Sequence, residues 1–361
     1  MKAVLLETVD RPVVVEDLEL LPLGRNEVRV QVGASGVCHS DLSLRRGQYG
    51  LPTPLVMGHE GAGTVVEVGP DVTMTRPGDR VVASFTAACG TCWQCARSRS
   101  HLCERNGEFR TAAAGLRGGR EVRAFGGLGT MAEILSVDEH LVIPVETTLP
   151  FEQLALVGCA VTTGAGSALF AAGVQPGATV AVIGCGGVGM SAIQGARAAG
   201  AAQIVAVDPV ESKRRLAKGF GATDSVDPTA PDALERLRAL TDGRGVEVAI
   251  EVAGRIEAMR FAYDATCRGG TAVFVGALDR SVELPLPAND IHATAKRVVG
   301  TLYGGAQVRR DIPRLVAMAE GGRLDLAGLV TRRVPLDEAD AALDAIEGGE
   351  VIRSVLIMEE P

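Results

Sequence analysis

From Lys2 to about Val145 apolar residues recur with a period of two: Val28, Val30 and Val32 alternate with polar neighbours, and turns such as Arg76-Pro77-Gly78-Asp79 punctuate the runs. That period sends side chains to opposite faces of a half-buried sheet, so this part is predicted to be β-rich. From about Thr179 the rhythm changes. Short continuous apolar runs, at Val180 to Ile183, Ile204 to Val207 and Val246 to Val252, are separated by alanine-rich stretches of helical period. Buried strands alternating with helices predict a doubly wound α/β domain. Near Tyr303 the alternation stops. Helices are predicted at Asp311 to Glu320 and Asp337 to Ile346, and a last strand at Val351 to Met358 is placed to rejoin the first domain.

Composition narrows the class. A chain of 361 residues with 47% hydrophobic and 22% charged residues excludes disorder and fibre. With 36 basic against 44 acidic residues the net charge is −8, which argues against nucleic acid and anionic lipid as partners. No uninterrupted apolar stretch nears the roughly 20 residues of a membrane span. The amino terminus meets Glu7 and Asp10 before a signal-peptide core could form. A soluble, cytoplasmic protein is expected.

Two local motifs carry chemistry. Gly184-Cys185-Gly186-Gly187-Val188-Gly189 follows a predicted strand and opens a predicted helix, so that backbone amides and the helix amino terminus can face a pyrophosphate. Asp208 ends the next strand, at the spacing where a carboxylate accepts adenosine ribose hydroxyls and repels a 2′-phosphate. Pro209 follows it, with no arginine beside it, and NAD is therefore preferred over NADP. The second motif, Cys89, Cys92, Cys95 and Cys103, has the spacing C-x2-C-x2-C-x7-C. Four thiolates close a tetrahedral zinc site; an iron–sulfur cluster is the alternative, which the seven-residue gap and the lack of a following proline fit poorly. Cys185 and Cys267 read as small buried apolar residues.

Three further segments hold candidate ligands: Gly36-Val37-Cys38-His39-Ser40-Asp41, Gly58-His59-Glu60 and Gly158-Cys159. Singly, His59 reads more readily as a core or surface histidine and Cys159 as packing. Together, two thiolates and one imidazole leave the fourth position of a zinc ion open.

With these residues in place, the sequence resembles the zinc-dependent medium-chain alcohol dehydrogenases over essentially its whole length. Gly58-His59-Glu60, Gly63, Gly69 and Val72 fit that family's zinc signature, and the four-cysteine lobe, the segment GCAVTTGAGS at Gly158 to Ser167, GCGGVG and Ile352-Arg353-Ser354 follow in family order. The resemblance implies a GroES-like β-rich catalytic domain interrupted by a Rossmann domain: catalytic residues 1–160, with the zinc lobe at 88–104, cofactor domain 161–302, and catalytic residues 303–361.

The resemblance also assigns roles. Cys38, His59 and Cys159 would hold catalytic zinc, with Asp41 and Glu60 behind them and Asp41 orienting the imidazole. His39 and Arg353 would face the cofactor pyrophosphate and Lys213 the adenosine ribose. Thr163 and Val188 would pack on the nicotinamide, and Val275 joins the cofactor-binding set. Phe85, Tyr49 and Leu128 would line the substrate pocket; Phe85 reads equally as an ordinary buried aromatic. The implied reaction is reversible hydride transfer between an alcohol, primary and aliphatic or aromatic, and NAD, with two zinc ions per chain and Ser40 relaying the hydroxyl proton. The family's outer histidine of that relay is replaced here by Ser43. A homodimer, pairing through the strand near Lys296 to Leu302, is implied. A thiol-dependent formaldehyde dehydrogenase is the first alternative, although Asn106-Gly107 stands where that enzyme carries an anion-binding arginine. Arg105, Arg110, Arg117, Arg120 and Arg123 lie nearby. A non-catalytic scaffold binding zinc and NAD is the alternative of another class.

Overall fold

The computed structural model describes residues 1–110, 113–279, 281–348 and 351–358. The chain divides into two compact units. One comprises Met1–Ala160, Gln307–Glu320 and Leu326–Pro361, the other Val161–Ala306 and Gly321–Asp325.

The first unit is built around the strand Glu27–Val37. Val28, Val30, Val32 and Ala34 point inward with a strict period of two, after which Ser35, Gly36 and Val37 are all buried. On one side this strand pairs antiparallel with Glu60–Val68, in a register that sets Ser35 opposite Gly61 and Gly36 opposite Glu60. On the other it pairs with Arg353–Ile357, Ser354 lying opposite Val37. The carboxyl-terminal strand thus rejoins the first domain, as its sequence predicts. A second sheet runs from Val14–Asp17 through Lys2–Leu6 and Leu55–Val56 to Arg120–Ala124 and Gly115–Arg117. A core that includes Val4, Val28, Met57, Leu135 and Leu356 is shared along these strands.

The second unit holds six parallel strands in the order Asp224–Val226, Gln203–Val207, Thr179–Ile183, Val246–Glu251, Thr266–Phe274 and Arg297–Gly300. Sequence order is third, second, first, fourth, fifth, sixth, which is the doubly wound arrangement with its topological switch beside the first strand. Val205, Val207, Ala181, Ile183 and Ala249 bury their side chains against helices, so these strands read as continuous apolar runs.

One element was not predicted and one expectation is corrected. The helical run Phe151–Ala171, 21 residues, is by length and composition apolar enough to cross a bilayer, yet 72% of its apolar window is buried within the protein. Counting only uninterrupted apolar residues missed it, because Glu152, Gln153, Thr162, Thr163 and Ser167 interrupt the pattern without removing its mean hydropathy. Cys267 is only partly buried, its thiol directed at the Arg268 carbonyl 3.4 Å away, whereas Cys185 is fully buried as expected.

Candidate functional site

The sheet register of the first unit brings three segments together. Cys38 follows the end of one strand and His59 precedes the strand paired with it, so antiparallel pairing seats them side by side. Arg353 opens the neighbouring strand. Cys159 arrives from the helical segment Val157–Val161, whose i→i+5 π geometry recurs at functional sites. Sγ of Cys38 and Cys159, a ring nitrogen of His59 and a carboxylate oxygen of Glu60 all lie within 4.8 Å of one another.

Asp41 fixes two of these groups. It occupies the third position of the helix His39–Arg45; its Oδ2 accepts the Cys38 N–H at 2.9 Å, and its Oδ1 accepts from His59 Nδ1 at 3.2 Å. With the proton on Nδ1, Nε2 is left able to serve as a ligand atom. Asp41→Asn is therefore expected to weaken zinc binding by about 10–100-fold while leaving the fold intact. Competition with a chromophoric chelator measures this, and an unchanged affinity would deny Asp41 its orienting role.

The electrostatics suit a cation. A hydrogen bond to Cys159, with help from Arg353 and His59, holds the Cys38 thiol well below its usual range. The same hydrogen bond and burial push Cys159 up. Two thiols so close compete for one proton, a conflict that a divalent cation removes by stabilising both as thiolates. Burial disfavours the protonated His59, but Asp41 and Cys38 outweigh it and raise the imidazole pKa. Burial raises Glu60 to about 8 against the pull of Arg353, whose Nη2 lies 3.5 Å from Glu60 Oε1. A Glu60 oxygen thus lies within 4.8 Å of each of the other three donor atoms. Arg353, almost fully buried, is turned toward Glu60 and donates from Nη1 to the Val37 carbonyl at 3.2 Å.

Rings enclose the imidazole. Phe85 meets His59 edge-on at 5.8 Å, Phe125 does so at 5.4 Å, and Tyr49 leans on Phe125 at 5.8 Å. Ser40, partly buried, has its hydroxyl 3.9 Å from Cys38 Sγ and shares a hydrogen bond with the Tyr49 side chain. Sequence reasoning missed Phe125. Its only signal is an aromatic residue set into the glycine run Phe125-Gly126-Gly127. Leu128 is packed into the main core of this unit, Ser43 is partly buried on the same helix as Ser40, and His39 is exposed.

The four-cysteine lobe forms a second donor cluster, its thiols also within 4.8 Å of one another. Cys89 Sγ and Cys95 Sγ are 3.9 Å apart, close to the edge of about 3.8 Å that a tetrahedron of 2.3 Å zinc–sulfur bonds requires. Backbone N–H groups of Cys92, Cys95 and Cys89 donate to the sulfurs of Cys89, Cys92 and Cys103 at 3.3 to 3.4 Å. Against a burial penalty, the N–H groups of Thr91 and Cys92 bring Cys89 down to about 6, while burial and Cys92 push Cys95 up to about 12.

In the second unit the glycine-rich turn joins the strand Thr179–Ile183 to the helix Gly187–Ala198. A Cβ on Gly189 would stand 1.9 Å from the Gly184 carbonyl oxygen, so only glycine lets this helix start so close to the strand. At Gly186 nothing lies within 4 Å of such a Cβ, and the turn is open there. Asp208 Oδ2 accepts from Cys185 N at 2.7 Å and Oδ1 from Val210 N at 2.8 Å, which aims the carboxylate beside the turn. Arg214 is engaged with the Asp208 carbonyl and, at 3.4 Å, with Asp227. Thr163, Val188, Val275 and Lys213 are partly buried, and the Val275 N–H is bound to the Glu251 carbonyl at 2.9 Å.

Family models described as the alcohol dehydrogenase GroES-like domain and the zinc-binding dehydrogenase match residues 24–147 and 187–321. A relative from Amycolatopsis methanolica, an NDMA-dependent alcohol dehydrogenase, is 38% identical over 99% of this chain and 98% of its own. Among solved structures, an alcohol dehydrogenase zinc-binding domain protein from Burkholderia ambifaria superposes with a TM-score of 0.94 at 31% identity, covering 99% of each chain. The benzyl alcohol dehydrogenase from Acinetobacter calcoaceticus gives 0.92 at 30%, also over 99% of each. Similarity along the full length, joined to the two donor clusters and the dinucleotide-type turn, establishes that the chain is an oxidoreductase belonging to the zinc-dependent medium-chain alcohol dehydrogenase family.

Proposed function

We propose that this enzyme reversibly oxidises primary alcohols, aromatic ones foremost, to aldehydes with NAD as hydride acceptor, and that each chain carries a catalytic and a structural zinc. The observation that carries the reading is the meeting of Cys38, His59 and Cys159 beside the rings of Phe85, Phe125 and Tyr49. When bound, zinc would lower the pKa of an alcohol hydroxyl and NAD would take hydride from the adjacent carbon. The chain's own residues do the rest. Asp41 keeps the imidazole in its ligand tautomer. Phe85 and Phe125 hold the apolar body of the substrate and keep water from it. Ser40 accepts the hydroxyl proton and returns its own to solvent, Tyr49 fixing the direction of its hydroxyl. Asp208, a carboxylate beside the glycine turn, favours NAD, and Lys213, Thr163, Val188 and Val275 of the same unit complete the cofactor contacts there.

A homodimer fits the exposed strand Arg297–Gly300, which ends its sheet with Val298 in solvent. Eight cysteines with none in a disulfide suit the reducing cytoplasm.

The test is a panel of primary, secondary, aromatic and terpenoid alcohols, plus formaldehyde with thiols, run with NAD and NADP alongside zinc analysis. An arm with added NDMA is included because the Amycolatopsis relative is named for it. Benzyl alcohol with NAD is expected to give the highest kcat/KM of the neutral alcohols, at two zincs per chain. Formaldehyde with a thiol outpacing every alcohol would replace this reading with the thiol-dependent one, and turnover seen only with NDMA would reassign the final acceptor.

A further inference from the structure

Five arginines crowd residues 105–123, and four of them are surface charges, three of these on the strands Gly115–Arg117 and Arg120–Ala124. Arg105 pairs with Glu108 at 2.8 Å, Arg117 pairs with Glu7, and Arg120 and Arg123 are exposed. Arg110 differs. Its Cζ stands 4.8 Å over the Phe85 ring, on the ring that meets His59 edge-on. It is partly buried, and among the described residues no carboxylate pairs with it and no acceptor takes its N–H groups. Burial alone acts on its pKa, lowering it.

The backbone is shaped to keep it there. Gly126 and Gly127 turn in the left-handed region, with φ of +63° and +75°. A Cβ on Gly127 would come within 2.6 Å of the Arg110 Cβ, and one on Gly126 within 2.6 Å of the Phe85 ring. Either addition would push the stacked pair away from the wall. A partly dehydrated guanidinium with unmet donors is costly, and its planar fork matches a carboxylate. Nothing on the described part of the protein supplies that carboxylate; a ligand lying along Phe85 would.

We propose that Arg110 is a specificity residue that selects alcohols carrying a carboxylate at the end remote from the reacting carbon, the aromatic wall holding the body between the two ends. This deepens the alcohol dehydrogenase reading and rests on it.

The test compares 4-(hydroxymethyl)benzoate with its methyl ester, an uncharged substrate of nearly the same shape, on the zinc-loaded enzyme and on its R110Q and R110K variants. The wild-type enzyme is expected to favour the carboxylate at least about tenfold in kcat/KM, as a charge-assisted hydrogen bond would give. That ratio should collapse in R110Q, chiefly through KM, return in part in R110K, and shrink in the wild type as salt is raised. Wild-type preference for the ester, or the same ratio in R110Q, would overturn the assignment. Should R110Q not fold, the wild-type ratio and its salt dependence decide the matter. If neither compound is turned over, the aromatic-alcohol reading fails, and calorimetric binding of 4-(hydroxymethyl)benzoate to wild type and R110Q then decides the role of Arg110 by itself.

Discussion

Cys159→Ser is expected to lower kcat/KM for the best alcohol by at least about three orders of magnitude and to remove close to one zinc per chain, with the melting temperature little changed. The substitution keeps the shape of the side chain but replaces a thiol with a hydroxyl whose pKa is far too high to give an anionic ligand. Two protein donors, Cys38 and His59, then remain, and the buried carboxylate of Glu60 beside them becomes the nearest substitute. Metal analysis and steady-state kinetics check the two halves together. A variant that kept both zincs and a tenth of its activity would show that Cys159 is packing and that the ion is held by another set. His59→Ala is a poorer test, because it also strips the buried Asp41 of one of its two partners.

The second large effect concerns the four-cysteine lobe. Cys95→Ser is expected to release the other zinc and to unfold residues 88–104 locally. Few side chains there are buried, Ala88, Ser100 and Cys103 among them, and Trp93 and Leu102 face solvent. The segment has almost no core of its own, so metal ligation is what opposes its conformational entropy. Trypsin is then expected to cut at the exposed Arg97 and Arg99 faster than in the wild type, and loss of zinc without faster cleavage would refute the pinning role. The pH dependence has a definite sign. Cys89 is held at about 6, below an ordinary thiol near 8.5, so its contribution is fully present above the unfolded value and is lost as pH falls through about 6. Zinc must also displace the proton that Cys95 otherwise keeps, so the lobe's zinc affinity, read with a competing chelator, should fall steadily as pH drops and not over that interval alone.

How much of this was legible from sequence follows from distance along the chain. The glycine turn and the lobe each lie within a short span, and local spacing alone displayed both. The donors Cys38, His59 and Cys159 are separated by a strand pairing and then by a hundred residues, so their meeting depends on a register that no single segment encodes; resemblance to a family supplied it. The same holds for the Arg353–Glu60 contact, whose partners are almost three hundred residues apart. Phe125 escaped because glycines around an aromatic residue read as turn, and Arg110 because one arginine among five looks like the rest. The apolar helix Phe151–Ala171 was overlooked for a different reason: scattered polar residues broke the count, while the average stayed high.

Every donor around the proposed catalytic ion, together with Asp41 and Arg353, is carried by the first unit alone. Metallation and nucleotide capture are therefore separable steps in the maturation of the enzyme. The apoprotein should take up its full zinc complement in the complete absence of nicotinamide, and dialysing the dinucleotide away should leave the metal stoichiometry untouched.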